Sequence, residues 1–583
     1  MSFNFTKVFL LGVSLLTPVL LNAIPAKPGL VEARQPDGTT VTLRLTGDEW
    51  NHLVFTSDDY LLTTNSEGFY VFADEREGNI VPTPIKASNP INRTEEEIVE
   101  IAKLDREKIV TKAYQSLQTI GTRSQTRGPG RYTTTFPAEG EQKGIAILVE
   151  FPNKGFTIND PKEFYTRMLN EEGFSDFGAT GSARDYFIQS SNGIFSPYFD
   201  VYGPVKLEKE YSYYGGDNNR LAYEMIIDAC TLLDDEIDFT EYDRNQDGII
   251  DNVYVFYAGF GEADGGGANT IWPHSWDLIL SGFKRYLYDG VLLNHYACSN
   301  ELQVTELPDG IGTFCHEFGH VLGLPDLYST EYSNAFTPGS WCIMDSGAYN
   351  NNSRTPPLYS TYERYAVDWI EPEVISEAGD YGLEKLNESN HAYMILTEKE
   401  NEFFLFENRQ QEGNDSYIPG HGMLIWHIDM DQKIFDDNVV NNNPDHQYVD
   451  LIEADNRLSE WNRDGDSFPG ASNVTSFTSE TTPAFLSWST KPVGFDITDI
   501  SESEDGKIAF TVKSNTVSSI DEVVASTGFL ISANNLTCLK NGLNVFNVSG
   551  QKIISMNYGD KIELPAGIYI ISNGKESYKI AVR

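Results

Sequence analysis

A chain of 583 residues, 40% hydrophobic and 12% aromatic, is long enough for several domains with packed cores. Its 42 lysines and arginines stand against 86 aspartates and glutamates, a net charge of −44, and so acidic a surface repels phosphate backbones and anionic lipid, which argues against nucleic acid as a partner. The five cysteines, Cys230, Cys298, Cys315, Cys342 and Cys538, include no close pair, which excludes a zinc ribbon or a CxxC redox site but leaves room for one or two disulfides.

The chain opens "MSFNFTKVFLLGVSLLTPVLLNA", where Lys7 precedes an apolar run that ends at Asn22-Ala23. Residues 1–23 therefore read as a secretory signal peptide. Nothing later approaches the roughly 18 apolar residues of a transmembrane helix, so the expectation is an exported protein with no transmembrane segment, secreted or held at the cell surface. Next, "DGTTVTLRLTGDEW" alternates Val41, Leu43 and Leu45 with polar residues, the pattern of a half-buried strand. "TEEEIVEIAKLDREKIVTKAYQSL" predicts an amphipathic helix whose capping box is Thr94 and Glu97. "GTRSQTRGPGR" then reads as an exposed joint carrying Arg123, Arg127 and Arg131, and it closes a first unit at about residue 127.

"KGIAILVEF" is a buried strand that opens a second unit, residues 128–370, of mixed helix and strand. Within it, "DRNQDGIID" sets Asp243, Asn245, Asp247 and Asp251 at alternating positions with Gly248 for a sharp turn, as in a calcium loop, although position 12 is Tyr254 rather than a bidentate Glu. A solvated turn is the plainer explanation of the same residues. His274 is either a ligand of a second metal or a hydrogen-bonded structural histidine, and His421 and His427 fall in strand-rich sequence as structural residues. Residues 371–515 are short strands throughout, an all-β region, and 516–583 are a last β module with Gly turns.

The chemistry concentrates in "CHEFGHVLGLPDLYS". Residues four apart on a helix share a face, so His316 and His320 can grip one ion, with Glu317 beside them to reach a water. Gly323 lets the helix stop and turn sharply, bringing Asp326 back as a third ligand. Three protein ligands leave a fourth position open, which is the arrangement of catalytic rather than structural zinc.

"PGSWCIMDSGAYNN" follows about twenty residues on. HExxHxxGxxD followed by a methionine turn resembles the metzincin metallopeptidases, with Met344 as an apolar floor beneath the metal. "IWPHSW", "ENRQ" and "HGMLIWHID" narrow the resemblance to the immune inhibitor A family of secreted metallopeptidases. "ARQPDGTTVTLRLTGDEW" is similar to that family's propeptide, and residues 516–583, with "LPAGIYII", resemble the C-terminal sorting domain of the type IX secretion system.

The resemblance implies a multidomain protein: an α+β metzincin-like zinc peptidase domain, a twisted sheet plus an active-site helix, followed by all-β sandwich-type domains. It implies a zinc endopeptidase with His316, His320 and Asp326 as ligands and Glu317 as general base, acting on protein or peptide substrates. Tyr349 is a candidate oxyanion donor. Residues 24–127 become a propeptide that an activating protease removes, and the secretion machinery becomes a partner. The alternative is a surface adhesin or binding protein whose protease-like domain is inactive.

Overall fold

The structure, a computed structural model, describes residues 24–583 apart from 48–51, 66, 77, 117–135, 217–220, 268, 280–283, 304, 331–334, 516–528, 533–534, 539–541, 548–549, 566, 573–576 and 583. The signal peptide and the arginine-bearing joint predicted above lie outside the described residues. The chain divides into two compact units, one running to Val493 with Ile497–Thr511, the other comprising Gly494–Asp496 and Val512–Arg583.

The first unit begins with a six-stranded antiparallel sheet in sequence order, Leu30–Arg34, Thr40–Gly47, His52–Thr56, Leu61–Thr64, Tyr70–Arg76 and Asn79–Lys86. Val41, Leu43 and Leu45 are buried, as their alternation predicts. The Thr94 capping box is present, with Glu97 N–H donating to Thr94 Oγ1 and Thr94 N–H to Glu97 Oε2. The predicted single helix is two, Glu95–Ile101 and Arg106–Ser116. The break falls at Asp105, whose side chain accepts from Lys108 N–H at 3.2 Å while Ile109 N–H bonds its carbonyl. A short polar side chain that caps the second helix in this way competes with continuing the first.

A five-stranded sheet follows, in the order His274–Asp277, His295–Leu302, Val253–Phe260, Gly140–Glu150, Phe195–Lys206. All its pairings are parallel except that of the edge strand His274–Asp277. Successive side chains of a strand leave on opposite faces. Ile145, Ile147 and Val149 accordingly join one core with the helix Ala222–Leu233, while Ala146 and Leu148 join the other core with Phe314, Phe318 and the helix Ile311–Val321. That helix is buried at every position, so its polar groups are enclosed by the fold.

Residues 371–515 form a sheet in the order Glu373–Val374, Tyr393–Leu396, Glu402–Arg409, Gly422–Asp429, Val449–Leu451, but they are not all strand: short helices lie at Leu386–Ser389 and Gln432–Asp436, and among the described residues no strand falls between Leu451 and Phe495. One part of these residues shares the core of the preceding region, while Phe404, Phe406, Phe477 and Phe485 are buried against one another outside it. Phe403, Leu405, Leu424, Trp426 and Phe435 belong to the same buried cluster as Phe318, Met344 and Trp369. The second unit consists of two small sheets, of three and four strands, around Leu536, Cys538, Leu543, Val545 and Ile571. None of the five cysteines is in a disulfide, and all are buried. The room the sequence leaves for one or two bridges is not used: the Cys342 thiol donates to Glu363 Oε1 at 3.2 Å and Cys298 Sγ lies 3.5 Å from His274 Nδ1.

Candidate metal centre

His316 and His320 lie one turn apart on the helix Ile311–Val321. His316 Nδ1 is 2.7 Å from Ile343 O and His320 Nδ1 is 2.8 Å from Leu324 O. A carbonyl only accepts, so each Nδ1 carries a proton and each Nε2 is left as the free ligand atom. Gly323, at φ +96°, stops the helix, and Leu324 N–H returns to Gly319 O at 3.0 Å in the manner of a Schellman motif. The chain then doubles back to Asp326 and is pinned by Leu327 N–H to Met344 O at 2.8 Å.

The two Nε2 atoms are 3.2 Å apart, and Asp326 Oδ1 lies 3.4 Å from that of His316 and 3.2 Å from that of His320. Tetrahedral zinc with ligands about 2.0–2.1 Å away separates its ligand atoms by about 3.3 Å. The triad is the one group of three such side chains, among the described residues, whose ligand atoms all lie within 4.8 Å of one another. Two imidazole lone pairs facing each other at this distance repel unless a cation stands between them. Asp326 Oδ1 is buried with no hydrogen-bond partner, a cost that a cation removes. The field has the same sense: burial opposes a charged His316, yet Asp326 and Glu317 outweigh it and lift its pKa to about 9. Burial holds His320 below its ordinary value. Burial also works against the Asp326 carboxylate, but His320 and His316 keep its pKa below the usual range. The residues fit a zinc ion.

Met344 lies under the helix, where a Cβ on Gly319 would stand 2.5 Å from its sulfur, so the glycine of HEFGH is set by contact with the methionine turn. The turn is held from behind by buried Glu363, which accepts from Met344 N–H at 3.4 Å and from the Cys342 thiol at 3.2 Å.

Glu317 is fully buried beside the triad, and burial raises its pKa to about 8. Its Oε1 accepts from Ile24 N–H at 2.8 Å. Ile24 is fully buried, and the Trp272 indole N–H donates to its carbonyl at 2.9 Å. Tyr349 O–H donates to Pro25 O at 2.7 Å, and Lys27 N–H to Ala263 O at 2.8 Å. Residues 24–27 therefore lie against Glu317 and Tyr349 at once. The sequence gives no sign of this contact, nor of Asn438, which bonds Asp326 from the β-rich region.

The Asp243–Asp251 loop has the sharp turn, with Gly248 at φ +85°, but its carboxylates are turned to its own amides. Asp243 accepts from Asp247 N–H at 3.0 Å and Gly248 N–H at 2.9 Å, Asp247 from Ile249 N–H at 2.9 Å, and Asp251 from Arg244 N–H at 2.9 Å. Burial, reinforced by Asp243 and Asp247, pushes Asp251 up to about 7. Both nitrogens of His274 are engaged, by Trp272 O at 2.7 Å and Tyr296 O–H at 2.9 Å, so it is a structural histidine. His427 is likewise bonded to Glu402 and His421 to Glu502, each at 2.9 Å.

A buried HExxH helix with a third ligand delivered by the following turn has the build of a metallopeptidase site. Comparison with known proteins agrees: residues 138–374 match the family "Immune inhibitor A peptidase M6, catalytic domain". The pre-pro-metalloprotease PrtV of Vibrio cholerae serotype O1 is 29% identical over 286 residues, 40% of this chain and 31% of that protein. Immune inhibitor A of Bacillus thuringiensis subsp. alesti is 27% identical over 267 residues, 38% of each. The chain thus spans about a third of the length of the curated relatives it matches.

Proposed function

We propose that this protein is a secreted zinc endopeptidase made as a latent precursor. The observation that carries the reading is the mutual spacing of His316 Nε2, His320 Nε2 and Asp326 Oδ1, with Glu317 alongside. His316, His320 and Asp326 would hold the zinc, which would supply Lewis-acid polarisation of a scissile carbonyl and a water of pKa near 7. Glu317 takes the proton of the attacking water and passes it to the leaving amine. Burial supports that role by making its carboxylate more basic than usual. Tyr349 donates to the oxyanion, a role supported by the backbone carbonyl of Pro25 that its hydroxyl meets.

Residues 24–127 act as the propeptide, and Ile24–Lys27 close the cleft by occupying it. No cysteine lies in that segment, so a thiolate–zinc switch has no donor. Residues 1–23 direct export and 516–583 direct passage through the type IX system to the surface or medium. The test is casein hydrolysis by the chain after cleavage near Arg123–Arg131: activity abolished by a chelator and restored by zinc is expected. A cleaved, zinc-loaded protein that hydrolyses neither casein nor a peptide library would leave the adhesin reading instead.

A further inference from the structure

Asp326 is held by a residue 112 positions further along the chain. Asn438 follows the short helix Gln432–Asp436, is buried, and has left-handed backbone at φ 49°. Its amide closes a ring of two hydrogen bonds on Asp326: Asp326 N–H donates to Asn438 Oδ1 at 2.8 Å, and Asn438 Nδ2 donates to Asp326 Oδ2 at 2.7 Å. The orientation of the amide follows from chemistry. A backbone N–H only donates, so it faces the amide oxygen, and the NH2 is left facing the carboxylate.

The consequence lies in which carboxylate oxygen is taken. Asn438 occupies Oδ2, while Oδ1 is the atom beside the two histidines and has no hydrogen-bond partner. We infer that Asn438 is a positioning residue of the metal centre: it selects Oδ1 as the ligand atom and keeps Asp326 monodentate. The surrounding loop makes the same grip on the chain beyond Asp326. Asn441 Nδ2 donates to Leu327 O at 2.9 Å, Thr330 N–H to Asn442 Oδ1 at 2.7 Å, and Thr330 Oγ1 to Asn438 O at 2.9 Å. Two ligands thus come from the active-site helix, while the third is set by the β-rich region, which is part of the metal centre rather than an accessory to it.

The inference rests on the zinc reading, and one experiment separates the two. Zinc affinity of the full chain is measured by competition with a chromophoric chelator for wild type and for Asn438→Leu, which keeps the branched shape of the side chain and removes both bonds. Loss of such an outer partner typically weakens metal binding about 10- to 100-fold, and that loss is expected with an unchanged circular dichroism spectrum before metal is added. Cobalt(II) provides a readout that a purely structural role would not move. With Oδ2 released, Asp326 can bind through both oxygens, and the visible absorption of the cobalt form is expected to weaken as the coordination number rises. Should Asn438→Leu fail to fold, the same two measurements are made on Asn438→Ala. Wild-type zinc affinity and an unchanged cobalt spectrum in a folded variant would overturn the inference, whereas a wild-type chain that binds no zinc would overturn the zinc reading itself.

Discussion

Ile24 offers the most direct handle on latency. Its side chain is fully buried and its N–H is bonded to Glu317. Truncating a buried isoleucine to alanine costs about 2–5 kcal/mol. Taking the lower part of that range, about 2–3 kcal/mol, for a segment at the edge of the fold, the balance between seated and unseated segment shifts on the order of 30- to 150-fold. The experiment uses uncut chains in which Arg123, Arg127 and Arg131 are replaced by Ala, so that nicking does not intervene, with and without Ile24→Ala. Initial rates on a quenched fluorescent peptide are compared, and Ile24→Ala is expected to raise the rate of the uncut chain by up to that factor. Wild-type and Ile24→Ala chains that keep the arginines and are cleaved at the joint should match each other, because the segment has left. If the uncut Ile24→Ala chain is as silent as its parent while the cleaved forms are equally active, Ile24 does not close the site.

Glu317→Ala should retain one zinc per chain and lose about 10²–10⁴-fold in kcat, while His320→Ala loses metal and activity together; metal analysis beside peptide hydrolysis distinguishes them. Asp251, raised to about 7, keeps its proton in the folded chain over a range where the unfolded chain has lost it, so stability falls as pH rises from about 4 to 7. Asp251→Asn in chelator should therefore melt higher than wild type at pH 8, on the order of 1–2 kcal/mol more stable, and match it at pH 4. In calcium the order should reverse if the loop holds the ion, because the variant forfeits a ligand; melting curves in the two buffers check both points. Replacing Arg123, Arg127 and Arg131 by Ala should leave the precursor latent toward a trypsin-like protease, and N-terminal sequencing of the active wild-type form should place its start near this joint. Deleting 516–583 should trap the protein in the periplasm, which cell fractionation detects.

The His316, His320 and Asp326 triad was legible because the three side chains are close in sequence, although the residue that holds Asp326 is not. Helical periodicity pairs His316 with His320, and a glycine free to take positive φ returns Asp326 within a few residues. The buried alternation of Val41, Leu43 and Leu45 and the Thr94 capping box were legible for the same reason. What escaped is either long-range or a contest between local signals. Nothing in "NVVNNN" says that its first asparagine meets Asp326, since 112 residues of chain intervene and asparagine runs ordinarily mark loops. Ile24 reads as an ordinary residue until the fold carries it to Glu317. The helix over 94–117 was right in period and wrong in continuity, because Asp105 serves as a cap as readily as it continues a turn. Short strands over 371–515 were legible, but their sharing a core with Met344 was not, because pattern records which residues are buried and not against what.

That none of the five buried cysteines is in a disulfide has a practical consequence. Burial lifts Cys230, Cys315 and Cys342 far above the ordinary thiol value, so the reactive thiolate is scarce at any pH the protein meets. The native state therefore has no disulfide to form or to lose, and an anaerobic medium leaves its fold untouched. On the proposed zinc reading, a thiol reagent that lowers peptide hydrolysis acts as a competing metal ligand, and added zinc rather than an oxidant is expected to restore the rate.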